Sequence, residues 1–535
     1  MAKRSGLIFS VLAIAVPLVW GSDLRVVEAA KKQDTVVVAT LIKQHADVNI
    51  ALPDGATALH WAVYWDDAKT VDLLIKAGAR VNAANEDGAT PLYLACINRN
   101  AAIAEKLLAS GANPNAELPS GETALMTATR TGSTEIVRAL LARHPNVNAK
   151  EKTSGQTALM WAVAYEHADV AKALLDADAS TTARSDVRRR IVNVGGLNQS
   201  ERKPDGTGPA DLGGFTPLLF AARNGNVELG KVLLAAGANV NEVGPTGAGA
   251  LAIAAHSGNT DFAIFLLEHG ADPNAAGGGF TALHAAVLRS DVTLVKALLD
   301  KGADPNAELT KGTPTRYESH DYYLNGGFVG ATPYWLAARY GEAEIMRILA
   351  ARGADPKHLT KDGTSPILTA VTAKSPGQIG DVIDRRGRMD TPTEFAARPK
   401  GEDERVTLAV AFLACQAGVD PNLPNMKGNV ALIEAATRGY ESVVQMLLDH
   451  GANVNATNKN GDTALHLAAQ SGYDSIVGLL VAKGADLNIK NRKGQTALAM
   501  TNASASGASG YLGYIVPEAK LKAAQELLAK LGAKQ

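Results

Sequence analysis

The element Thr57-Ala58-Leu59-His60 returns 33 residues later as Thr90-Pro91-Leu92-Tyr93, and after a further 33 as Thr123-Ala124-Leu125-Met126. It closes the chain in the same step: Thr463-Ala464-Leu465-His466, then Thr496-Ala497-Leu498 after another 33. A fixed period of this size means stacked supersecondary units, each burying a face on its neighbour. That constraint sets the fold and sets aside most enzymatic readings. It also suits the length, since 535 residues would strain a single globular core. A stack instead extends one core along its axis.

One unit can be read physically from Asp54 to Asn82. Asp54-Gly55 is turn chemistry, with glycine free to adopt positive φ. Thr57 caps a short apolar helix, Ala58 to Tyr64. Pro91, Pro217, Pro333 and Pro366 occupy its first helical position in other units, where a missing N–H costs nothing. A second helix runs from Thr70 to Lys76 and ends in the pair Leu74-Ile75. Gly78 is the left-handed stop, and Ala79-Arg80-Val81-Asn82 leads to the next turn.

This unit resembles the ankyrin repeat, whose pattern is roughly G-x-T-P-L-H-x-A-A, a helical break, and L-L-x-x-G-A-D-V-N. Starts fall at Thr57, Thr90, Thr123, Thr157, Thr216, Gly249, Thr281, Thr332, Ser365, Val430, Thr463 and Thr496. Leu24 to Asn49 supplies a helix pair without the Thr-Pro-Leu-His element and looks like an N-terminal cap. Ala519 to Gly532 looks like its C-terminal counterpart. The expected fold is an all-α ankyrin-repeat solenoid with short β-hairpin fingers, about 13 units including caps, over residues 23–535. Gly249 and Val430 replace the capping threonine, which weakens those helix starts by about 1 kcal/mol each. His144 and Asp178 replace the stop glycine.

The N-terminus is a separate object. Lys3 and Arg4 precede the apolar run Leu7 to Trp20, and Gly21-Ser22 follow. Positive, apolar and small-residue regions in this order read as a secretory signal peptide over residues 1–22. The run is short for a membrane span, which needs about 20 residues. The expectation is export to the periplasm or beyond, with no stable span after cleavage, and a monomer. An uncleaved anchor is the alternative. The net charge of −1, on a chain 20% charged and 46% hydrophobic, argues against a nucleic-acid partner. Cys96 and Cys415 lie about seven repeats apart. With helices packing roughly 8–10 Å apart, they are beyond disulfide reach and read as buried small hydrophobes.

The period breaks at four places, near residues 185–213, 307–329, 374–402 and 502–515. The first two lengthen a hairpin finger; the last two separate the helices of a unit. The second carries Arg316-Tyr317-Glu318-Ser319-His320-Asp321-Tyr322-Tyr323, with Tyr317, Tyr322 and Tyr323 the contact candidates, since tyrosine and arginine are enriched at binding hot spots.

In ankyrin stacks the first helices and the fingers line a concave groove, so the resemblance implies binding there. The positions seven and eight residues after each cap are expected to face solvent. They include Tyr64-Trp65, Ile97-Asn98, Arg130-Thr131, Ala164-Tyr165, Arg223-Asn224, His256-Ser257, Leu288-Arg289, Arg339-Tyr340, Thr437-Arg438 and Gln470-Ser471. Five of these ten pairs carry arginine and none an acid. An unneutralised row of Arg130, Arg223, Arg289, Arg339 and Arg438 favours a protein partner with an acidic segment. Tyr64, Trp65, Tyr165 and Tyr340 would add apolar area.

Trp61, Trp161 and Trp335 fall at core-facing positions. The resemblance implies that His60, His284 and His466 bond backbone between repeats and are structural. No catalytic, cofactor or metal site is read from the chain. Gly247-Ala248-Gly249-Ala250-Leu251-Ala252 fits a dinucleotide pattern but follows no buried strand. Asn458 to Asp462 faintly resembles a calcium loop without its bidentate glutamate. The favoured function is a non-catalytic binding scaffold. The alternative is an enzyme or ligand-binding protein with a site built from the insertions 307–329 and 374–402, using His320 and Asp321.

Overall fold

A computed structural model describes residues 23–193, 207–312, 324, 326–373, 401–505 and 517–533. Within them, 26 α-helices follow one another as antiparallel pairs. The chain forms two compact units that divide after Ser180. The first runs from the cap pair Arg25–Lys31 and Thr35–Lys43 to the pair Ala158–Ala164 and Ala168–Leu175. The second begins with a hairpin, continues with Pro217–Asn224 and Val227–Ala235, and closes with Ala497–Ala505 and Glu518–Lys530.

The local reading of a repeat holds. Ala58–Tyr64 starts at Thr57 and carries a reciprocal cap with His60. Its second helix begins two residues earlier than expected, as Ala68–Lys76, because Asp67 accepts from the amides of Lys69 and Thr70. Gly78 stops it at φ 85°. His144 and Asp178 take the same left-handed conformation at φ 50° and 64° without a glycine.

Packing follows the period. Within each unit, successive first helices pack on one another, as Ala58–Tyr64 does between Arg25–Lys31 and Pro91–Asn98. Leu59, Leu92, Leu125 and Leu159 of the first helices are buried, as are Leu74, Leu107, Leu140 and Leu174 of the second. Each such leucine contributes about 1.5–3 kcal/mol by leaving water.

A second periodic device ties the exits together. The Asn82 carboxamide donates to Gly111 O at 2.9 Å and accepts from Asn113 N at 2.7 Å. Asn49, Asn148, Asn241, Asn274, Asn306, Asn422 and Asn455 repeat this two-bond clip onto the next repeat. One planar amide thereby satisfies a carbonyl left over at a helix end and an amide of the next loop.

The first insertion lengthens its finger, as read from the sequence. Val187–Asn193 pairs antiparallel with Thr207–Gly213, Val187 opposite Gly213 and Asn193 opposite Thr207. Other fingers show single bridges, such as Ala51 to Thr57 and Val243 to Gly249. The dinucleotide-like glycines belong to this turn chemistry: Gly247 sits at φ 84° in the finger and Gly249 is a helix N-cap.

Candidate partner-binding surface

The last carbonyls of an α-helix have no partner within the helix. In this chain a side chain from the following repeat supplies one. Asn98 Nδ2 donates to Val63 O at 2.8 Å and Tyr64 O at 3.1 Å. Thr131 Oγ1 donates to Cys96 O at 3.3 Å, and Asn259 Nδ2 donates to Ala222 O and Arg223 O, both at 2.9 Å. Arg289 does the same with Nε and Nη2 on His256 O, at 2.8 and 2.6 Å. Arg438 Nη2 reaches Thr372 O at 3.1 Å. A cation here also meets the negative end of the helix dipole.

Of the arginines expected to form an unneutralised row, one is paired with an acid and three others are bonded to backbone carbonyls. Arg130 Nη2 pairs with Glu122 Oε1 at 3.2 Å. Arg339 lies 5.5 Å from the centre of the Phe328 ring and donates to Thr369 O at 3.4 Å. Arg289 and Arg438 are engaged by helix ends as above. Of the five, Arg223 is exposed and the others are half-buried. The acid that pairs with Arg130 sits in the finger, eight residues away, so inspection of the two helix-end positions alone passes over it. Two other positions read as solvent-facing are buried. Leu288 is pressed between neighbouring first helices, and Thr437 turns its hydroxyl back onto Ile433 O at 2.7 Å.

Three of the four described aromatic candidates, Tyr64, Trp65 and Tyr165, lie in the first unit. Tyr64 is half-buried and packs edge-on against Trp65, ring centres 4.8 Å apart, and against Trp61 at 5.7 Å. Lys31 lies 5.0 Å over the Trp61 ring, and Trp65 Nε1 donates to Lys31 O at 3.1 Å. Three repeats on, Trp161 meets Tyr165 edge-on at 6.4 Å, and Tyr165 stacks on His167. Trp65 remains 37% exposed and Tyr165 50% exposed. Trp61 and Trp335 are core residues as expected, but Trp161 is half-buried. Tyr340 is half-buried in the second unit. Tyr317, Tyr322, Tyr323, His320 and Asp321 lie outside the described residues, as do the signal segment and most of the 374–402 and 502–515 insertions.

Buried titratable groups here have structural partners. His60, His284 and His466 each take a bond at Nδ1 from their own Thr cap and face the next repeat's carbonyl with Nε2. Burial lowers all three, His284 to about 4. Burial raises Glu434, against the opposing pull of Arg438, and raises Glu242, whose carboxylate accepts from Thr216 Oγ1. It also pushes the thiols of Cys96 and Cys415 up to about 12 and 11, though Cys415 is half-buried and not core as expected. Among the described residues no cluster of His, Cys, Asp or Glu could hold a metal ion, and no helix is long and apolar enough to cross a membrane.

The bonding role of the exit asparagines and of Asn259 is not read from the sequence, and Asn98 and Thr131, expected to face solvent, cap carbonyls of the preceding repeat. The 33-residue recurrence of asparagine was the available signal, but recurrence does not say which backbone groups a side chain meets.

The repeat pattern is matched by models of a known family. A family model of ankyrin repeats matches residues 26–118, 101–185, 218–308 and 395–491, and a single-repeat model matches 329–361. The mouse (Mus musculus) 2-5A-dependent ribonuclease is 33% identical over 90 residues, 17% of this chain. The match spans 10% of that relative's length. The crystal structure of the human ASB11 ankyrin repeat domain is 25% identical; the similarity covers 52% of this chain and 98% of that one, with a TM-score of 0.35. Ankyrin repeats are generally non-catalytic protein–protein interaction modules, and with their pattern matched over more than half its length this chain belongs to the ankyrin repeat family.

Proposed function

We propose that the chain is an exported, non-catalytic scaffold that binds a protein partner along the ends of its first helices. The observation that carries this is the patch in the first unit, where Trp65 and Tyr165 keep large apolar area in water. Tyr64, Arg130 and Trp161 flank them. Tryptophan, tyrosine and arginine held rigidly on helices have the composition of an interface hot spot. The candidates in the second unit are Arg223, Arg289, Arg339, Tyr340 and Arg438, with Tyr317, Tyr322 and Tyr323 on the aromatic insertion. Arg223, exposed and with no bond from its guanidinium among the described residues, is the cation of this set best placed for an acidic segment of the partner.

Support for export is the order of Lys3-Arg4, Leu7–Trp20 and Gly21-Ser22. N-terminal sequencing of secreted material should begin near residue 22; recovery of intact Met1 on a cytoplasmic protein would reject it. For binding, the chain lacking residues 1–22 is used to isolate a partner from the envelope fraction, and affinity is then measured. Trp65→Ala with Tyr165→Ala should weaken it more than tenfold, since each hot-spot truncation costs about 2 kcal/mol. Unchanged affinity with an intact fold would remove this patch from the interface.

A further inference from the structure

Four consecutive fingers of the second unit carry Lys361, Lys427, Lys459, Arg492 and Lys493 at their tips, all exposed. The fingers touch through their backbones: Met426 N donates to Asp362 O at 2.8 Å, and Arg492 N to Asn460 O at 2.9 Å. Elsewhere many cations are paired across repeats, as Lys106 with Asp72 at 2.8 Å and Lys483 with Asp449 at 2.7 Å. None of the five tip cations forms an ion pair among the described residues; Lys459 rests its ammonium on Met426 O. The acids of the same fingers bond within them, although Asp362 is half-buried and close enough to Lys427 for that charge to help lower its carboxyl. Asp362 Oδ1 accepts from Thr360 Oγ1 at 2.7 Å and Thr364 N at 3.2 Å. Asp462 is buried and accepts from Asn491 Nδ2 at 2.8 Å. In the first unit the corresponding turns hold Asp54, Glu86 and Asp87 against Lys152. The one-signed row therefore belongs to the second unit, and it lies on the fingers and not at the first-helix ends.

We propose that this row docks an extended acidic segment of a protein, with a carboxylate at every third residue. Repeats pack roughly 8–10 Å apart, and a chain in the extended polyproline II conformation advances about 3.1 Å per residue with three residues per turn, so every third side chain returns on the same side to the next tip. Arg492 offers the bidentate geometry a carboxylate fits, and the lysines offer point charges. The tips carry no aromatic ring on which bases would stack, which favours a peptide over a nucleic-acid strand. The proposal shares with the preceding one a protein partner with an acidic segment; the surface is different, and the experiments separate them.

The test uses the full chain and a fluorescent ten-residue peptide with glutamate at its first, fourth, seventh and tenth positions and Gly-Ser between. Comparators are a peptide of equal composition with its four glutamates contiguous, and a single-stranded oligothymidylate. The spaced peptide should bind at low salt and release as salt rises. Lys361→Gln, Lys427→Gln, Lys459→Gln and Arg492→Gln together should weaken it about tenfold or more, and the same positions changed to Glu should abolish binding. Trp65→Ala with Tyr165→Ala should leave it unchanged. Exposure of all four side chains keeps these variants folded, which far-UV circular dichroism checks. No binding by the spaced peptide, equal binding by the contiguous one, tighter binding by the oligonucleotide, or indifference to charge reversal would each overturn the proposal.

Discussion

His284 has both ring nitrogens committed. Thr281 N donates to Nδ1 at 3.2 Å, so the proton sits on Nε2 and points to Ala331 O at 3.3 Å. Burial is the main reason that its pKa falls to about 4. A second proton would also face an amide that already donates. The folded chain holds His284 neutral, whereas the unfolded chain protonates near the ordinary value of about 6.5. The unfolded state therefore binds more protons between those values, and stability falls as pH drops from about 6.5 toward 4. His284 alone accounts for about 3 kcal/mol at the bottom of that window, with His60 and His466 adding in the same direction. Urea midpoints measured from pH 7 to pH 4 should decline, and His284→Gln should flatten the decline; a midpoint independent of pH would contradict this protonation state. Two glycines in one turn make a second contrast at this scale. Gly249 is an N-cap with φ −82° and no atom within 3.4 Å of an added Cβ, so Gly249→Thr should stabilise by about 1 kcal/mol. Gly247 has φ 84°, and its Cβ would lie 2.3 Å from Gly277 O, so Gly247→Ala should destabilise. Thermal melts of the two variants should move in opposite directions.

At the scale of elements, the stack is held by apolar burial and by side chains that cross from one repeat to the next. Asn274→Ala removes a donor to Gly302 O at 2.9 Å and an acceptor for Asp304 N at 2.7 Å. The expected loss is about 1 kcal/mol, tempered because these groups are exposed and water can replace the clip. Hydrogen exchange at Asp304 should speed up; unaltered protection would show that the clip does not hold that amide. Helices, caps and stops were legible in the sequence because they are local: Thr57, Pro91 and Gly78 act on backbone within a few residues of themselves. The fate of Arg289 was not. Its partner, His256 O, lies 33 residues away and is a main-chain atom, which residue identity does not mark. Leu288 and Thr437 were misplaced for a related reason. Both stand at the end of a first helix, where packing between repeats decides which flank meets solvent, and helical spacing alone does not show that.

On the scale of the whole chain, two compact units imply unfolding in more than one step. Trp61, Trp65 and Trp161 lie in the first unit and Trp335 in the second, so tryptophan fluorescence weights the first while circular dichroism reports helices throughout. Denaturation followed by the two probes should give curves that do not superimpose. A single coincident transition would show that the units unfold together. The asparagine clip has a different consequence. Asn306 grips Gly353 O at 2.9 Å and Asp355 N at 2.6 Å across a sequence separation of 47 and 49, where Asn274 makes the same two bonds across 28 and 30. The joint thus keeps the same two bonds across a longer stretch of chain. A lineage of such chains can lengthen, rewrite or discard such a stretch and pay nothing in alignment, so recognition is free to drift quickly while the frame that displays it stays still.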